Sequence, residues 1–162
     1  MSKKNKENKT NAIRIAEAHG IDYEIRTYDA SRGFVSGVDA AHETGIEEAR
    51  CFKTLVLVGH SRENYVCVIP VARELDLKKA AAHFGEKNVE MIHAKDITGT
   101  TGYIKGGCSP IGMKKQFVTA IDSTAKDFAT VGISGGKVGL QMELDPEKLA
   151  ELVGAGFCDL TK

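Results

Sequence analysis

The sequence predicts an α+β domain built on a mixed, largely antiparallel sheet. Two apolar, β-branched runs at 51–58 and 64–70 flank a short polar stretch, which is typical of a hairpin of central strands. Three more strand-like runs follow in the second half of the chain, at 117–121, 129–133 and 138–144. Helices interrupt these strands irregularly, whereas a doubly wound fold needs a regular alternation of strand and helix.

The N-terminal elements are delimited by a capping residue and by polarity. Thr10 is a good helix N-cap and a glycine follows His19, so a helix is expected over 10–19. Residues 22–28 alternate in polarity, which indicates a strand. A loop over 31–37 then leads into a short helix that ends at Thr44, before another glycine.

The central elements follow the hairpin. A helix begins at Leu75 or Asp76 and continues through three alanines to Phe84, where a glycine again acts as a stop signal. A short strand is expected at 89–93, and a brief helical turn at 94–98.

The C-terminal elements include a second hairpin. A connector at 123–127 separates two strands, and the glycine pair at 135–136 fits a tight turn because 138–144 alternate in polarity. Asp-Pro at 145–146 is a good helix opening, since proline is tolerated at the first helical position. That helix is expected to reach about residue 153, before a closing segment at 157–160.

Composition narrows the class of protein. The length of 162 residues fits a single domain over 10–162, preceded by a flexible basic tail over 1–9. Lys+Arg and Asp+Glu balance at 22 each, so any attraction for nucleic acid must come from local clusters of charge. The four cysteines are scattered, and neither metal-ligand spacing, a secretory leader nor a membrane-spanning run occurs. We therefore expect a cytoplasmic protein with no metal, no other cofactor and no membrane contact.

The most distinctive segment is a glycine-rich loop over 102–112. It contains four glycines, a proline and Lys105, and no Asp or Glu occurs between Asp96 and Asp122. Glycines let a ligand approach the main chain closely, and exposed N–H groups beside lysines favour a polar, anionic ligand.

Single residues leave several interpretations open. Lys53 lies in the first central strand, where its ammonium either reaches solvent or lines a cleft and faces a carbonyl, carboxylate or phosphate. Ser134 fits a G-x-S-x-G spacing, but the strand expected after it argues against a nucleophile elbow, which needs a helix there. Tyr28 and Tyr103 suit either base stacking or packing. Cys108 has no histidine close in sequence and is expected to pack.

Taken together, these segments resemble the YbaK/EbsC family, the free-standing relatives of the editing domain inserted in bacterial prolyl-tRNA synthetase. The resemblance extends from about residue 10 to residue 160. The matching segments are FKTL at 52–55, LDLKKA at 75–80, VEM at 89–91, TTGY at 100–103, GGCSPIG at 106–112 and SGGK at 134–137.

The resemblance implies a fold and an activity. The fold is a mixed α/β domain in which a curved, barrel-like sheet with surrounding helices holds the pocket. The activity is that of an aminoacyl-tRNA deacylase that removes cysteine mischarged onto proline tRNA, with prolyl-tRNA synthetase as an associated partner. Since an aminoacyl ester is already activated, positioning and oxyanion stabilisation can suffice, and the family suggests attack by the substrate's own thiol.

The resemblance also implies roles for individual residues. Lys53 is expected to grip the substrate near the ester, and the backbone of Gly107 to approach the aminoacyl group. Substrate contacts are expected from Tyr28, Thr54, Gly106, Ser109 and Ser134. Some relatives carry Asp where this chain has Gln141, so an acidic contact is not assigned at that position. Whether Gln141 or Cys108 contacts the substrate stays open.

Two alternatives remain compatible with the sequence. One is an editing deacylase for Ala-tRNA(Pro) or for another small amino acid. The other is a non-catalytic module that binds tRNA or the synthetase.

Overall fold

The computed structural model describes residues 9–31 and 36–162. Its α-helices within these ranges are α1 (Asn11–Ala18), α2 (Gly37–Thr44), α3 (Leu77–Phe84), α4 (Ile97–Thr101) and α5 (Pro146–Val153). Its strands are β1 (Tyr23–Thr27), β2 (Phe52–Gly59), β3 (Asn64–Pro70), β4 (Val89–Met91), β5 (Val118–Asp122), β6 (Val131–Ser134), β7 (Leu140–Leu144) and β8 (Gly156–Cys158). Short 3₁₀ turns occur at Glu48–Arg50, Ala94–Asp96 and Ser123–Asp127.

The described strands form two sheets. One has the order β4-β2-β3-β5-β8 and the other the order β1-β7-β6. The β3–β5 and β5–β8 pairs are parallel, and the other pairs are antiparallel. The predicted α+β class with a mixed, mostly antiparallel arrangement is therefore confirmed.

The two sheets meet where β2 begins. Cys51, directly before β2, forms an isolated parallel bridge with Gly132 in β6. Beyond this bridge β2 pairs with β3, whereas β6 pairs with β7. The expected curved wall thus consists of two joined sheets, and the strands of the described residues do not close a barrel.

The helix bounds follow the start and stop signals in the sequence. Side chains at four N-caps accept hydrogen bonds from first-turn N–H groups: Thr10, Ser36, Asp76 and Asp145. Four helices end at glycines in the left-handed region: Gly45, Gly85, Gly102 and Gly154. Glycine adopts that backbone without the steric cost that other residues carry, so α2, α3 and α5 end where the sequence indicates. The turn expected over 94–98 instead continues as α4 to Thr101.

The main core lies between the two sheets under α1 and α5. Its buried members include Phe52, Ile121, Ile133, Met142 and Leu149. A second cluster packs α3 on the other face of the five-stranded sheet, around Leu57, Cys67, Ile69, Ala80 and Leu160. Each face of this sheet is therefore covered by helix, which fits its apolar central strands.

Several elements depart from the expected bounds. The strand expected over 22–28 forms, but it lies at a sheet edge with residues 24–27 exposed, including Ile25 at 40%. β7 begins at Leu140 rather than 138, because Gly139 adopts a φ of 93° and belongs to the turn. Of the expected basic tail, only Lys9 is described, and its ammonium pairs with Glu17 at 2.7 Å. The rest of the tail and most of the loop expected over 31–37 lie outside the described residues.

Candidate active-site cleft

A cleft of about 270 Å³ opens at the junction of the two sheets. Five of the predicted site residues line it: Tyr28, Lys53, Thr54, Gly106 and Ser134. Apolar side chains make up most of the remaining wall: Phe52, Leu55, Val56, Val71, Met91, Ile92 and Ile97. The polar groups therefore stand in a largely apolar surround, where their electrostatic interactions are stronger than in water.

The cleft lies against an uncovered stretch of β2. Successive residues of a strand direct their backbone N–H and C=O groups to opposite edges. The Val56 carbonyl accepts a hydrogen bond from the Ile92 N–H at 3.1 Å, so Thr54 directs its backbone groups to the same edge, away from β3. β4 pairs with β2 only from Leu57 onward, and the bridge to β6 involves Cys51. Between those points, no strand among the described residues covers the edge of β2.

Lys53 lies in this stretch with its side chain half-buried in the cleft. Of the two placements that the sequence allowed for Lys53, the structure shows the one in which its side chain lines a cleft. Burial lowers the pKa of its ammonium, and the nearby Glu74 carboxylate opposes part of that shift. A partly desolvated ammonium interacts strongly with a carbonyl oxygen that develops negative charge.

Thr54, which lines the cleft, has an unusual hydroxyl. Its Oγ1 is buried and has no hydrogen-bond partner. Within the described residues, it is the only buried side-chain N or O atom without one. Leaving a buried hydroxyl unpaired costs about 1–3 kcal/mol. Such a group in a native fold calls for an explanation, and a bound ligand is one.

The glycine-rich loop supplies the opposite wall through Gly106 and Cys108. Gly107, between them, is buried: a Cβ there would lie 2.8 Å from the backbone of Lys137 and Val138, so only glycine fits. Its N–H donates to the Ile104 carbonyl at 3.0 Å. Gly107 thus packs behind the lining, and a substrate contact by its backbone remains a prediction.

Ser109 is also behind the wall. It is fully buried, and its hydroxyl accepts a hydrogen bond from the Ile111 N–H at 3.2 Å. The structure therefore does not bring Ser109 to the cleft surface with the other predicted residues. Tyr103 is buried too, and its hydroxyl donates to the Ile111 carbonyl at 2.6 Å, so of the two roles left open it has the packing role.

The three-stranded sheet contributes Ser134 and Gln141 to the cleft. The Ser134 hydroxyl accepts a hydrogen bond from the Gly136 N–H at 3.2 Å, which fixes it at the turn between β6 and β7. A strand follows that turn, as predicted, so the arrangement of a nucleophile elbow is absent here. Gln141 pairs with Ser134 across β6 and β7 and approaches the Cys51 thiol at 4.0 Å.

Cysteine thiols near the cleft are held in the protonated form. Burial raises the pKa of Cys108 to about 11, and a contact with the Thr101 hydroxyl offsets part of the shift. Burial also raises the pKa of Cys51 to about 11. Since the thiolate is the nucleophilic form, neither thiol is activated near neutral pH.

Sequence reasoning missed most of the apolar lining. Met91 ends β4, Ile92 follows it and Ile97 begins α4, and no motif marks these three as site residues. The exposure of Met91, at 45%, is not a feature that a sequence reveals. Gln141 and Cys108, whose roles the sequence left open, both lie in the lining.

Within residues 9–31 and 36–162, none of the helices combines the length and the apolar character needed to cross a bilayer. Over the same residues, no cluster of three or more His, Cys, Asp or Glu side chains is arranged to hold a metal ion.

Comparison with known proteins places the chain among editing domains. The family model of the aminoacyl-tRNA editing domain matches residues 34–152. A protein of Enterococcus faecalis, provisionally named Cys-tRNA(Pro)/Cys-tRNA(Cys) deacylase EbsC, is 47% identical over 161 residues, covering 99% of this chain and 98% of that protein. A proline–tRNA ligase of Thermosipho melanesiensis is 28% identical over 123 residues, which are 71% of this chain and 21% of the ligase.

A solved structure shares the fold over the full length. It is described as a provisional trans-editing enzyme for prolyl-tRNA synthetase, and it superposes with a TM-score of 0.83 at 23% identity. The superposition covers 100% of this chain and 99% of that chain. The likeness supports the two-sheet architecture independently of the sequence motifs.

Proposed function

The chain belongs to the aminoacyl-tRNA editing domain family, and on that premise we propose that it is a deacylase that hydrolyses Cys-tRNA(Pro) in trans. The bond cleaved is the ester between the cysteinyl carbonyl and the terminal ribose. The 47% identity to the Enterococcus protein over nearly both chains supports cysteine as the amino acid.

One observation carries the proposal: the Lys53 side chain lines the same apolar cleft as the glycine-rich loop and Ser134. A cleft of about 270 Å³ has room for an aminoacyl group and part of a ribose, but not for folded RNA. Only the acceptor end of the tRNA therefore enters, which is the part that carries the ester.

The lining favours a mechanism in which the substrate supplies the nucleophile. No His, Asp or Glu is among the described residues that line the cleft, and the Cys108 thiol is protonated near neutral pH. In the proposed route, the substrate's sulfur bonds to its own carbonyl carbon. The ester C–O bond then breaks, the ribose oxygen takes up the thiol proton, and water hydrolyses the cyclic thioester that leaves.

Lys53 and the main chain have the stabilising role in this route. As sulfur attacks, negative charge develops on the carbonyl oxygen, and the Lys53 ammonium offsets it in a poorly solvated site. Holding thiol and carbonyl in a reactive geometry accounts for much of the remaining acceleration. Alanine and proline lack a thiol, so their esters cannot follow this path.

The test is a deacylation assay on proline tRNA charged with Cys, Ser, Ala or Pro, with Lys53→Ala beside the wild type. We expect rapid loss of cysteine only, and a fall in kcat of about 100-fold or more in Lys53→Ala, as for loss of one oxyanion-stabilising group. A fully active Lys53→Ala enzyme would refute the site. Comparable hydrolysis of Ser- and Ala-tRNA would refute the thiol-dependent route and favour an editing deacylase for other small amino acids.

We assign the selection of proline tRNA to prolyl-tRNA synthetase. The chain is neutral overall, with 22 basic and 22 acidic residues, so it has little long-range attraction for RNA. The relation to a segment of proline–tRNA ligase supports an association with prolyl-tRNA synthetase, which would present the mischarged tRNA. Addition of the synthetase should then lower the KM for Cys-tRNA(Pro) and leave the KM for a small cysteinyl ester unchanged.

A further inference from the structure

We infer that Thr10 is a positioning residue, because its side chain clamps the turn that holds Ser134 and joins it to the glycine-rich loop behind the cleft. The inference rests on the proposed deacylase function only for its kinetic consequence. Neither Thr10 nor its neighbour Asn11 lines the cleft, so neither touches the substrate.

The Thr10 hydroxyl makes two interactions at once. It accepts a hydrogen bond from the Ile13 N–H at 3.2 Å, which caps α1, and it donates to the carbonyl of Gly135. Gly135 directly follows Ser134, and the next residue, Gly136, donates its N–H to the Ser134 hydroxyl. Thr10 therefore fixes the turn one residue away from a cleft-lining side chain.

The same end of α1 holds the glycine-rich loop. The Asn11 amide donates to the Gly112 carbonyl at 2.9 Å. The Tyr103 hydroxyl donates to the Ile111 carbonyl at 2.6 Å, which ties the two ends of this loop together. Two consecutive residues, Thr10 and Asn11, thus bind both segments that supply Ser134, Gly106 and Cys108 to the cleft.

The two segments also pack directly on each other. A Cβ at Gly107 would lie 2.8 Å from the backbone at Lys137 and Val138, and a Cβ at Gly136 would lie 3.1 Å from both Thr10 and Tyr103. The two segments therefore pack tightly, and a displacement of one should be transmitted to the other. Releasing the turn from Thr10 should therefore loosen the wall that contains Cys108.

Thr10→Val removes the hydroxyl at nearly constant volume. We expect kcat for Cys-tRNA(Pro) to fall about 10- to 100-fold with a smaller change in KM, since small displacements of positioning groups have effects of this size. Alkylation of Cys108 by iodoacetamide, measured by peptide mass spectrometry, should become about 10-fold faster because the wall opens more often. Thr10→Ser keeps the hydroxyl and should restore both quantities to within about 3-fold.

The matched control is Asp145→Ala. Asp145 caps α5 by accepting from the Glu147 and Lys148 N–H groups, so its loss also removes one helix cap, but outside the cleft. It should lower stability as much as Thr10→Val without changing kcat or the Cys108 rate. Should Thr10→Val not fold, Asn11→Ala removes only the exposed contact with Gly112 and should accelerate Cys108 alkylation about 3-fold.

The outcomes separate this inference from the proposed function. If Thr10→Val and Asp145→Ala behave alike in both kcat and Cys108 alkylation, the clamp is wrong while the deacylase assignment stands. If the wild type does not deacylate Cys-tRNA(Pro), the function is wrong, and the alkylation rates still decide the clamp. A loss of kcat that Thr10→Ser does not restore would also overturn it.

Discussion

At the scale of single residues, Thr54 connects stability with activity. Its buried hydroxyl lacks a partner within the described residues, and its backbone groups face the uncovered edge of β2. A folded chain that keeps an unpaired polar group gives up stability there. The proposed substrate offers an amino group, a thiol and an ester oxygen, each of which can pair with a hydroxyl.

Thr54→Val should therefore raise the stability of the protein and lower its deacylase activity. Valine matches threonine in shape, so removing the unpaired hydroxyl should raise the free energy of unfolding by about 1 kcal/mol. Loss of its bond to the substrate should lower kcat/KM about 10-fold, as for about 1.4 kcal/mol. Urea unfolding and deacylation kinetics measure the two changes.

Thr119→Val is the control for that substitution. Thr119 is buried, but its hydroxyl donates to the Phe117 carbonyl at 2.9 Å. Its replacement should destabilise the fold by about 1 kcal/mol and leave kcat/KM unchanged. If both variants lose stability and Thr54→Val keeps full activity, the Thr54 hydroxyl is not a substrate contact.

The Cys108 thiol allows a prediction about pH. Its pKa is raised to about 11 by burial, whereas an ordinary thiol titrates near 8.5. The thiolate reacts, so alkylation of Cys108 should still accelerate about 10-fold for each pH unit between 8.5 and 10. Alkylation of a cysteine in a short unstructured peptide, measured in parallel, should approach a plateau by pH 10. A plateau for Cys108 below pH 9.5 would contradict the burial of its thiol.

At the scale of elements, Glu143 joins the two sheets. This buried residue of β7 bonds to Arg26 Nε of β1 at 2.8 Å and to Arg50, just before β2, at 3.0 Å. Burial acts to raise the pKa of its carboxyl, but the two guanidinium groups outweigh burial, and the pKa is lowered. The ion pairs thus hold β7, which carries Gln141, against the start of β2.

Glu143→Gln should destabilise the fold by about 1–2 kcal/mol, since it removes a buried carboxylate whose two arginine partners remain partly exposed. Because the pKa is lower in the folded state, the carboxylate contributes stability above its unfolded pKa of about 4.3. That contribution is lost as pH falls through the folded value. The stability difference between wild type and Glu143→Gln, from urea unfolding, should therefore shrink below pH 4. A constant difference from pH 7 to pH 3 would contradict the ionic role.

The helices and central strands could be predicted from the sequence, because local signals decide them. Thr10, Asp76 and Asp145 are caps whose chemistry acts over a few residues, and the β-branched runs of β2 and β3 fit a central hairpin. The edge position of β1 and the gap beside Thr54 could not be predicted. They depend on which strands pair over long sequence distances, and no local pattern encodes that pairing.

The candidate site likewise has residues that could be predicted from the sequence and residues that could not. Lys53 and Gly106 stood out because a lysine in an apolar strand and a glycine-rich loop are rare locally, and the family resemblance linked them. The buried positions of Gly107 and Ser109 depend on contacts with residues near 137 and 111, which only the folded chain defines. The same is true of the clamp at Thr10, whose partner lies 125 residues away.

At the scale of the whole molecule, a neutral protein must attract RNA through local charge. The segment between Asp96 and Asp122 has no acidic residue and carries Lys105 in the cleft wall, with Lys114 and Lys115 exposed further along. If the acceptor end enters the cleft, its phosphates pass close to this segment. With no net charge, the long-range attraction for RNA is weak, and the local positive charge of this segment sets the direction from which the RNA approaches.

Replacing both Lys114 and Lys115 with Glu should raise the KM for Cys-tRNA(Pro) about 10-fold at low salt and weaken its salt dependence, as expected for loss of two phosphate contacts. The KM for 3′-O-cysteinyl adenosine, which lacks those phosphates, should not change. Lys126→Glu with Lys148→Glu is the matched control, because both lysines are exposed and lie outside the acid-free segment. Since each double variant changes net charge equally, equal effects on KM would mean that overall charge guides the RNA, and the local path along this loop would be wrong.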